Sequence, residues 1–368
     1  MKKRLLNILF FLLFFICLLL HFLFSPLHLI RDKPLEGYYP KPPETTFNLP
    51  GYFSRKYQDT TEKYINYQFG LFPGFTRLHH QLEYSLFNRI NVQDVHIGKQ
   101  GYLFRYVNGY FDDKTFPEGK LEMYIQRYMK FSDSLKAAGK NVIWVVAPDK
   151  NIVYSEFLAD SVKHPAQING FYQSLKNAFK QNGITFLDFN EAGIAEKNKY
   201  PFAVCNKGGV HWTQAYAARC FDSMCVYLSG TTNISIKNTI SSKKNNNPWT
   251  PDIDIEAAAN LLMPLEKNNN YFSTVESQSN SKNKKLLLIG DSFCHAWAWN
   301  KWLQQNFSSG SEFWYYNREA HQLDDTYIKD RDHATTRSYI SKFDTFIILF
   351  SAGNVEQLDY GFMEDIYK

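Results

Sequence analysis

The chain has 368 residues and a formal net charge of +5, which is enough sequence to bury one large core. This modest charge gives no indication of nucleic-acid binding; a mixed solvated surface explains it as well as contact with an acidic polysaccharide or an anionic membrane surface does. The sequence has no Cys-x-x-Cys pair, no His/Cys cluster with metal-ligand spacing and no phosphate-binding glycine-rich loop. We therefore expect neither a metal nor a cofactor.

The N-terminus has the pattern of a membrane anchor. A basic flank, Lys2 to Arg4, precedes a nearly unbroken apolar run from Leu5 to Phe24, about the 20 residues that cross a bilayer as a helix. Because a basic flank stays in the cytoplasm, the sequence predicts a single-pass inner-membrane anchor within residues 1–30 and a periplasmic or otherwise extracytoplasmic remainder. A cleaved signal peptide is the alternative, although the run is long for one and no small-residue cleavage site follows it.

Two further segments precede the part of the chain where the motifs lie. Four prolines, Pro34, Pro40, Pro42 and Pro43, indicate an extended spacer over 31–50. Residues 51–90 have apolar side chains at helical spacing and predict a helical lead-in to a single domain over 51–368.

Strands then alternate with helices. Short strands are predicted around a glycine turn at 97–104, and longer apolar strands at 142–147, 185–189, 285–289, 313–316 and 345–350. Helices are predicted at 121–138, 168–181, after Thr213 and at 293–306, whereas 230–283 is expected to be a polar, mobile insertion with a short helix within 252–265. This alternation predicts an α/β fold with a mainly parallel sheet and helices on both faces.

Two motifs at the ends of predicted strands indicate chemistry. Ser292 follows the apolar run Leu286–Ile289 in a Gly-Asp-Ser-Phe turn that would expose its hydroxyl beside free backbone N–H groups. His211, in a Gly-Val-His-Trp-Thr sequence, is the base that such a serine needs for acyl transfer. The competing interpretations are a helix N-cap for Ser292 and a structural histidine for His211.

Together with other short motifs, these two resemble a known family. The chain is similar to the SGNH-hydrolase-like proteins of the alginate O-acetyltransferase type, the AlgX/AlgJ-like family. The similarity lies in the order of these motifs over most of the part expected outside the cytoplasm. The matching segments are Glu62-Lys63-Tyr64 with Phe69 to Phe75, Ile97-Gly98 to Leu103-Phe104, Pro148-Asp149-Lys150 with Tyr154, His211-Trp212-Thr213, Gly290-Asp291-Ser292-Phe293 and the final strand.

The resemblance implies an SGNH-hydrolase-like (flavodoxin-like) fold with a circularly permuted motif order, in which the histidine precedes the serine. It implies Ser292 as nucleophile and His211 as base of an enzyme that transfers acetyl groups to polysaccharide hydroxyls, with a membrane-bound O-acyltransferase (MBOAT) partner as acetyl donor. An acetyl esterase acting on glycans, and a catalytically silent glycan-binding or scaffold subunit, are the alternatives.

The acid of the expected triad is missing. The family's aspartate stands two residues before the histidine, and this chain has Gly209 there. Three explanations are open: another carboxylate reaches His211, a backbone carbonyl orients it in a Ser–His dyad, or the site is not catalytic. Asp149 is a candidate acid only because it follows a predicted strand.

An oxyanion hole and its supporting residues are also required. The Ser292 backbone N–H is the natural first donor. Asn354 resembles the asparagine of SGNH enzymes, with a turn asparagine as the alternative, and Asp291 is a supporting residue or the cap of the turn. Lys150 neutralises charge or binds sugar, unless it is a solvated loop residue.

Some residues near the motifs have less specific expectations. His295 is expected to pack or to face solvent. The aromatic residues around the serine (Trp297, Trp299, Trp302, Trp314, Tyr315 and Tyr316) suit stacking on sugar rings, although aromatic side chains are more often part of the core. Cys205 and Cys294 flank the two motifs, and a free buried thiol is favoured over a disulfide at each.

Overall fold

The computed structural model describes residues 2–24, 33–37, 41–44, 46–68, 70–105, 115–160, 162, 170–265 and 270–368. Pro40 of the expected spacer, and the first residues of the helix expected from 168, lie outside these ranges. The chain divides into two compact units, one formed by Met1–Gln93 with Glu256–Leu265 and the other by Asp94–Ile255 with Glu266–Lys368.

The first unit is helical. Its helices are α1 (Lys2–Phe24), α2 (Leu49–Phe53), α3 (Lys56–Gln68) and α4 (Phe72–Phe87). Asn48 caps α2 by accepting a hydrogen bond from the Gly51 N–H at 2.7 Å. Among the residues described, no helix is both long enough and apolar enough to cross a membrane. The transmembrane helix expected from the sequence therefore stays a prediction.

The second unit contains the strands and nearly all remaining helices. The strands are β1 (Val95–Ile97), β2 (Leu103–Arg105), β3 (Asn141–Ala147), β4 (Phe186–Asp188), β5 (Ile236–Lys244), β6 (Tyr271–Ser279), β7 (Leu286–Gly290), β8 (Glu312–Tyr315), β9 (Glu319–Gln322), β10 (Tyr327–Asp330) and β11 (Thr345–Ser351). The helices are α5 (Lys120–Ala137), α6 (Lys150–Val153), α7 (Gly170–Gln181), α8 (Phe189–Glu196), α9 (Gln214–Thr231), α10 (Asp254–Ala259), α11 (His295–Trp299), α12 (Thr336–Tyr339) and α13 (Phe362–Ile366). Of these, α10 begins in the second unit, and its residues from Glu256 onward belong to the first.

Within the described ranges, the main sheet has seven strands in the order β10-β9-β8-β7-β11-β3-β4. The five strands from β8 to β4 are parallel, and β9 and β10 extend one edge in antiparallel orientation. The expectation of a mainly parallel α/β sheet is confirmed, with an antiparallel edge that the sequence analysis did not include. Since the carboxyl ends of the parallel strands meet at one edge, the residues that follow them are brought together.

Both faces of this sheet are covered, which is why its central strands are apolar throughout. Along β11, Ile347 and Leu349 face a core that includes α9, whereas Phe346, Ile348 and Phe350 face a core that includes α5 and α7. Helices thus lie on both faces, as expected.

Two segments differ from the sequence-based expectation. The helix expected over 293–306 ends at Trp299, and Lys301 just beyond it is left-handed, with a φ of 58°. Within 230–283, which was expected to be a polar, mobile insertion, β5 and β6 pair in antiparallel register from Ile236 to Lys244. Its buried residues include Ile236 and Val275, which pack in the core with α9, so apolar anchors hold the otherwise polar hairpin.

Candidate active site

Ser292 lies in a turn that the sequence motif builds residue by residue. The turn leaves β7 at Gly290, where a Cβ atom would stand 2.2 Å from the Leu349 carbonyl oxygen and 2.3 Å from Cys294 Sγ. Only glycine allows this close approach of β7 to β11. Cys294 is buried and free, as are Cys205, Cys220 and Cys225.

Asp291 stabilises this turn through hydrogen bonds. Its buried carboxylate accepts hydrogen bonds from the Phe293 N–H at 3.0 Å and from the Ser351 N–H and Asn354 Nδ2 at 2.8 Å each. Burial raises the pKa of Asp291 above its usual value, an effect that these donors only partly offset. Asp291 therefore caps the turn, and it ties the loop after β11 to the nucleophile segment.

His211 lies in the loop before α9, at hydrogen-bonding distance from Ser292. Thr213 caps α9 by accepting from the Tyr216 N–H, which fixes the chain just after the histidine. His211 Nε2 is 2.8 Å from Ser292 Oγ, and His211 Nδ1 is 2.8 Å from Asp254 Oδ2. The structure thus contains a serine–histidine–aspartate chain of hydrogen bonds.

Asp254 is well suited to remain ionised. Its second oxygen accepts from the backbone N–H groups of Val210, at 2.7 Å, and Ile255, at 2.9 Å. Burial acts to raise the pKa of Asp254, but His211 and the two backbone donors outweigh it and hold that pKa below the usual value. An ionised Asp254 favours the proton on Nδ1, which leaves Nε2 free to accept the serine proton.

Gly209 makes room for the segment that carries this acid. A Cβ atom at position 209 would lie 2.2 Å from the carbonyl oxygen of Asp252 and 2.7 Å from its carbonyl carbon. The backbone of the 3₁₀ turn Thr250–Ile253 therefore passes where a side chain at 209 would begin, and α10 then starts with Asp254. Of the three explanations for Gly209, the geometry fits the first, a carboxylate from elsewhere in the chain.

Asp149, the acid suggested from the sequence, is not the residue that contacts His211. It caps α6, where its carboxylate accepts from the Asn151 N–H at 2.7 Å. Asp254 was missed because it stands 43 residues after His211, within the stretch expected to be mobile. The missing acid at 209 was a signal that some other carboxylate was needed, but spacing alone did not identify it.

Lys150 also differs from the sequence-based interpretation. It is buried, and its ammonium donates to the carbonyl oxygens of Asn206 at 2.7 Å, Gly209 at 2.8 Å and Lys207. Burial lowers the pKa of Lys150 to about 7. The side chain is therefore neither solvated nor free to bind sugar, and instead it holds the loop that leads to His211.

Tyr316 is a residue near the nucleophile that the sequence analysis did not single out for chemistry. It follows β8 with a left-handed φ of 49°, and its N–H donates to the Gly290 carbonyl at 2.8 Å. Burial and then Asp291 raise the pKa of Tyr316, while the neighbouring Ser292 acts to lower it. The phenol oxygen therefore lies beside the first expected oxyanion donor.

A pocket of about 370 Å³ opens beside this hydrogen-bonded chain. Ser292, His211 and Asp254 line it together with Trp249, Trp299 and His295. His295 packs against neighbouring rings, as expected, and it also borders the pocket. No group of three His, Cys, Asp or Glu side chains in the described ranges is arranged to hold a metal ion.

The chain was compared with known proteins. The family model described as SGNH hydrolase-like domain, acetyltransferase AlgX, matches residues 95–329. No curated protein matches the sequence.

Three solved structures illustrate the similarity. The O-acetyltransferase domain of Pseudomonas putida AlgJ is 13% identical, with 73% of this chain and 98% of that chain covered and a TM-score of 0.44. Pseudomonas aeruginosa AlgX is 16% identical, with 75% and 69% covered and a TM-score of 0.44. Bacillus cereus PatB1 is 12% identical, with 71% and 96% covered and a TM-score of 0.40.

Proposed function

Since the chain belongs to the family of SGNH hydrolase-like domains of the acetyltransferase AlgX type, we propose that it transfers acetyl groups to polysaccharide hydroxyls through an acyl-enzyme on Ser292. The observation that carries this proposal is the continuous hydrogen-bonded chain from Ser292 through His211 to Asp254, with 2.8 Å at each link. Such a chain supplies a nucleophile, a base and an orienting acid in one pocket.

In the first half-reaction, His211 Nε2 takes the proton of Ser292 as Oγ attacks the carbonyl carbon of an acetyl ester. The tetrahedral intermediate collapses by breaking the bond to the leaving oxygen, and the protonated His211 returns the proton to that oxygen. Asp254 stabilises the imidazolium while it exists. The products are an alcohol and an acetylated Ser292.

In the second half-reaction, a sugar hydroxyl takes the place of the departed alcohol. His211, now neutral, removes its proton as the sugar oxygen attacks the acetyl-serine carbonyl. The bond to Ser292 Oγ breaks, and His211 gives the proton back to the serine. The sugar leaves acetylated and the enzyme is restored.

The negative charge that develops on the oxygen of the tetrahedral intermediate is stabilised by hydrogen-bond donors that are already in position. The Ser292 N–H, the Tyr316 hydroxyl and the Asn354 amide are our candidates, because Tyr316 is bonded through its backbone to Gly290 and Asn354 through its amide to Asp291, both in the turn that carries Ser292. Asn354 has one of its two amide hydrogens committed to Asp291, which fixes its orientation. Removing one such donor costs about 2.7 to 4 kcal/mol of transition-state stabilisation in known cases.

The test is to incubate the protein with an acetyl ester and an oligosaccharide, and to follow acetyl-enzyme and acetylated sugar by mass spectrometry. We expect both in the unaltered chain, neither in Ser292→Ala, and both in Ser338→Ala, which removes an exposed hydroxyl elsewhere. Acetate without acetylated sugar would point to an esterase and contradict the proposal. Glycan binding without any acetyl-enzyme would also contradict the proposal and would point to a catalytically silent binding subunit.

The location and partner of the protein are separate proposals, and they rest on the sequence alone. The basic flank and apolar run at the N-terminus support attachment to the inner membrane, with the catalytic unit outside the cytoplasm and near an MBOAT acetyl donor. Fractionation of cells expressing the full chain, followed by protease treatment of spheroplasts, tests this. A protein that stays in the high-salt-washed membrane and is cleaved from outside agrees with it, and recovery in the cytosol contradicts it.

A further inference from the structure

Two tryptophans are set apart from the others by their exposure. Of the seven in the chain, five are buried: Trp144, Trp212, Trp297, Trp302 and Trp314. The other two, Trp249 and Trp299, both line the pocket that contains Ser292, and Trp299 is 45% exposed. Their rings meet edge to face, with centroids 6.0 Å apart at an angle of 79°. Exposed aromatic rings that line a candidate active site indicate a ligand-binding surface.

The indole of Trp299 is held in place. Its Nε1–H donates to Asp325 Oδ2 at 2.8 Å, and its ring stacks on that of His295, with centroids 4.4 Å apart and planes at 13°. His295 Nδ1 is itself 3.3 Å from the same Asp325 oxygen. The carboxylate thus fixes the Trp299 ring by a hydrogen bond, and the stacked His295 ring supports it from one face. Because these side chains are already held, little of their freedom is lost when a ligand binds.

The size of the pocket favours the acceptor over the acetyl group as the ligand of this surface. An acetyl group would fill only a small part of the pocket volume of about 370 Å³. A monosaccharide unit is larger and needs a binding surface about as wide as its ring. Sugar rings present an apolar face of C–H groups, with hydroxyls at the rim. A fixed aromatic face with few polar groups matches that pattern.

We propose that Trp299, with Trp249 at its edge, is the platform on which the acceptor sugar stacks, and that Asp325 is the positioning residue that holds it. This inference rests on the proposed function. The ring to be acetylated then lies against Trp299 with one hydroxyl directed to the acetyl-serine.

The experiment compares acylation of the enzyme by a chromogenic acetyl ester with transfer to an oligosaccharide, in the same preparations. For Trp299→Ala we expect KM for the oligosaccharide to rise about tenfold or more, and transfer to fall far more than the acylation burst. Trp299→Phe should recover part of the affinity. Phe272→Ala removes a partly exposed ring on β6 and should behave as the unaltered chain does.

Two results would overturn the platform. An unchanged KM in a folded Trp299→Ala protein would show that the sugar binds elsewhere, and an equal loss of acylation and transfer would assign the surface to the donor. Oligosaccharide binding to the Ser292→Ala protein, measured by calorimetry with and without Trp299→Ala, tests the platform even if the chain forms no acyl-enzyme. Failure of the proposed function is thereby distinguished from failure of this inference.

The role of Asp325 has its own test. Asp325 has a left-handed φ of 71°, so Asp325→Gly removes the carboxylate without straining the backbone. We expect a raised KM for the oligosaccharide with kcat nearly unchanged, and recovery in Asp325→Asn, whose amide oxygen can still accept from Trp299. A fall in kcat at constant KM would contradict a positioning role.

Discussion

At the scale of single residues, two aspartates near the candidate site stand two positions apart and differ in charge. Asp252 is buried and accepts from the Gln214 N–H at 2.8 Å. Burial raises its pKa to about 8, so it is mostly protonated at neutral pH. Asp254 has two backbone donors and His211, which hold its pKa low. His211 and two backbone donors outweigh the effect of burial at Asp254, whereas the backbone donor at the more deeply buried Asp252 does not.

This contrast predicts opposite outcomes for two otherwise identical substitutions. If Asp254 is the orienting acid, Asp254→Asn removes the charge that orients His211 and favours the wrong tautomer, so we expect kcat for acetyl transfer to fall by roughly 10⁴, as in known Ser-His-Asp enzymes. Asp252→Asn replaces an already neutral group and should change kcat little. Rates from steady-state transfer assays, with thermal unfolding as the folding control, decide between them. Equal losses, or a fully active Asp254→Asn protein, would contradict the triad.

At the scale of elements, the parts of the fold that have a local sequence pattern were predicted. The parts that depend on contacts between residues far apart in the chain were not. Strands β3, β7 and β11 were found from sequence because they are buried on both faces and so are apolar throughout. Strand β10 was missed because all four of its residues are exposed, which gives no alternating pattern. The β5–β6 hairpin was missed because most of its residues are polar.

The site divides in the same way. The turn around Ser292 and the cap after His211 are encoded by neighbouring residues and were predicted. The burial of Lys150 was not, because its carbonyl partners lie 56 to 59 residues further along the chain. Asp254 likewise reaches His211 only through the packing of the Thr250–Ile253 turn against Gly209. Such contacts leave no local pattern in a single sequence.

That packing gives a prediction at the element scale. In Gly209→Ala, the new methyl group would stand 2.2 Å from the Asp252 carbonyl oxygen, so the turn must move and carry Asp254 away from His211. We expect a large fall in kcat for transfer, and destabilisation of about 1 to 3 kcal/mol, typical of overpacking. Denaturant unfolding and transfer assays measure the two effects.

Gly230→Ala is the matched control, because a Cβ atom there meets nothing within 4 Å. Its kcat should equal that of the unaltered chain. If Gly209→Ala kept full activity and stability, it would be wrong that glycine is needed at 209 to make room for the turn that leads to Asp254.

At the scale of the whole molecule, buried carboxyl groups make stability depend on pH. Asp359 is buried on the face of the sheet covered by α5 and α7, beside Tyr124 of α5 and the Met363 N–H, from which it accepts at 3.3 Å. Burial raises its pKa to about 7. In the folded state it therefore keeps a proton over a range in which the unfolded chain loses one. Because the folded state then binds more protons than the unfolded state, stability falls as pH rises.

This linkage predicts that the free energy of unfolding declines between about pH 4 and pH 7, and that Asp359→Asn lessens the decline. One such group contributes a slope of at most about 1.4 kcal/mol per pH unit, which vanishes above the folded pKa, where both states have lost the proton. The amide introduced by Asp359→Asn cannot ionise, so only the slope from other groups, Asp252 among them, remains. Urea unfolding at successive pH values measures the slopes, with exposed Asp133→Asn as the control that should match the unaltered chain. Parallel curves for Asp359→Asn and the unaltered chain would show that Asp359 is ionised in the folded protein.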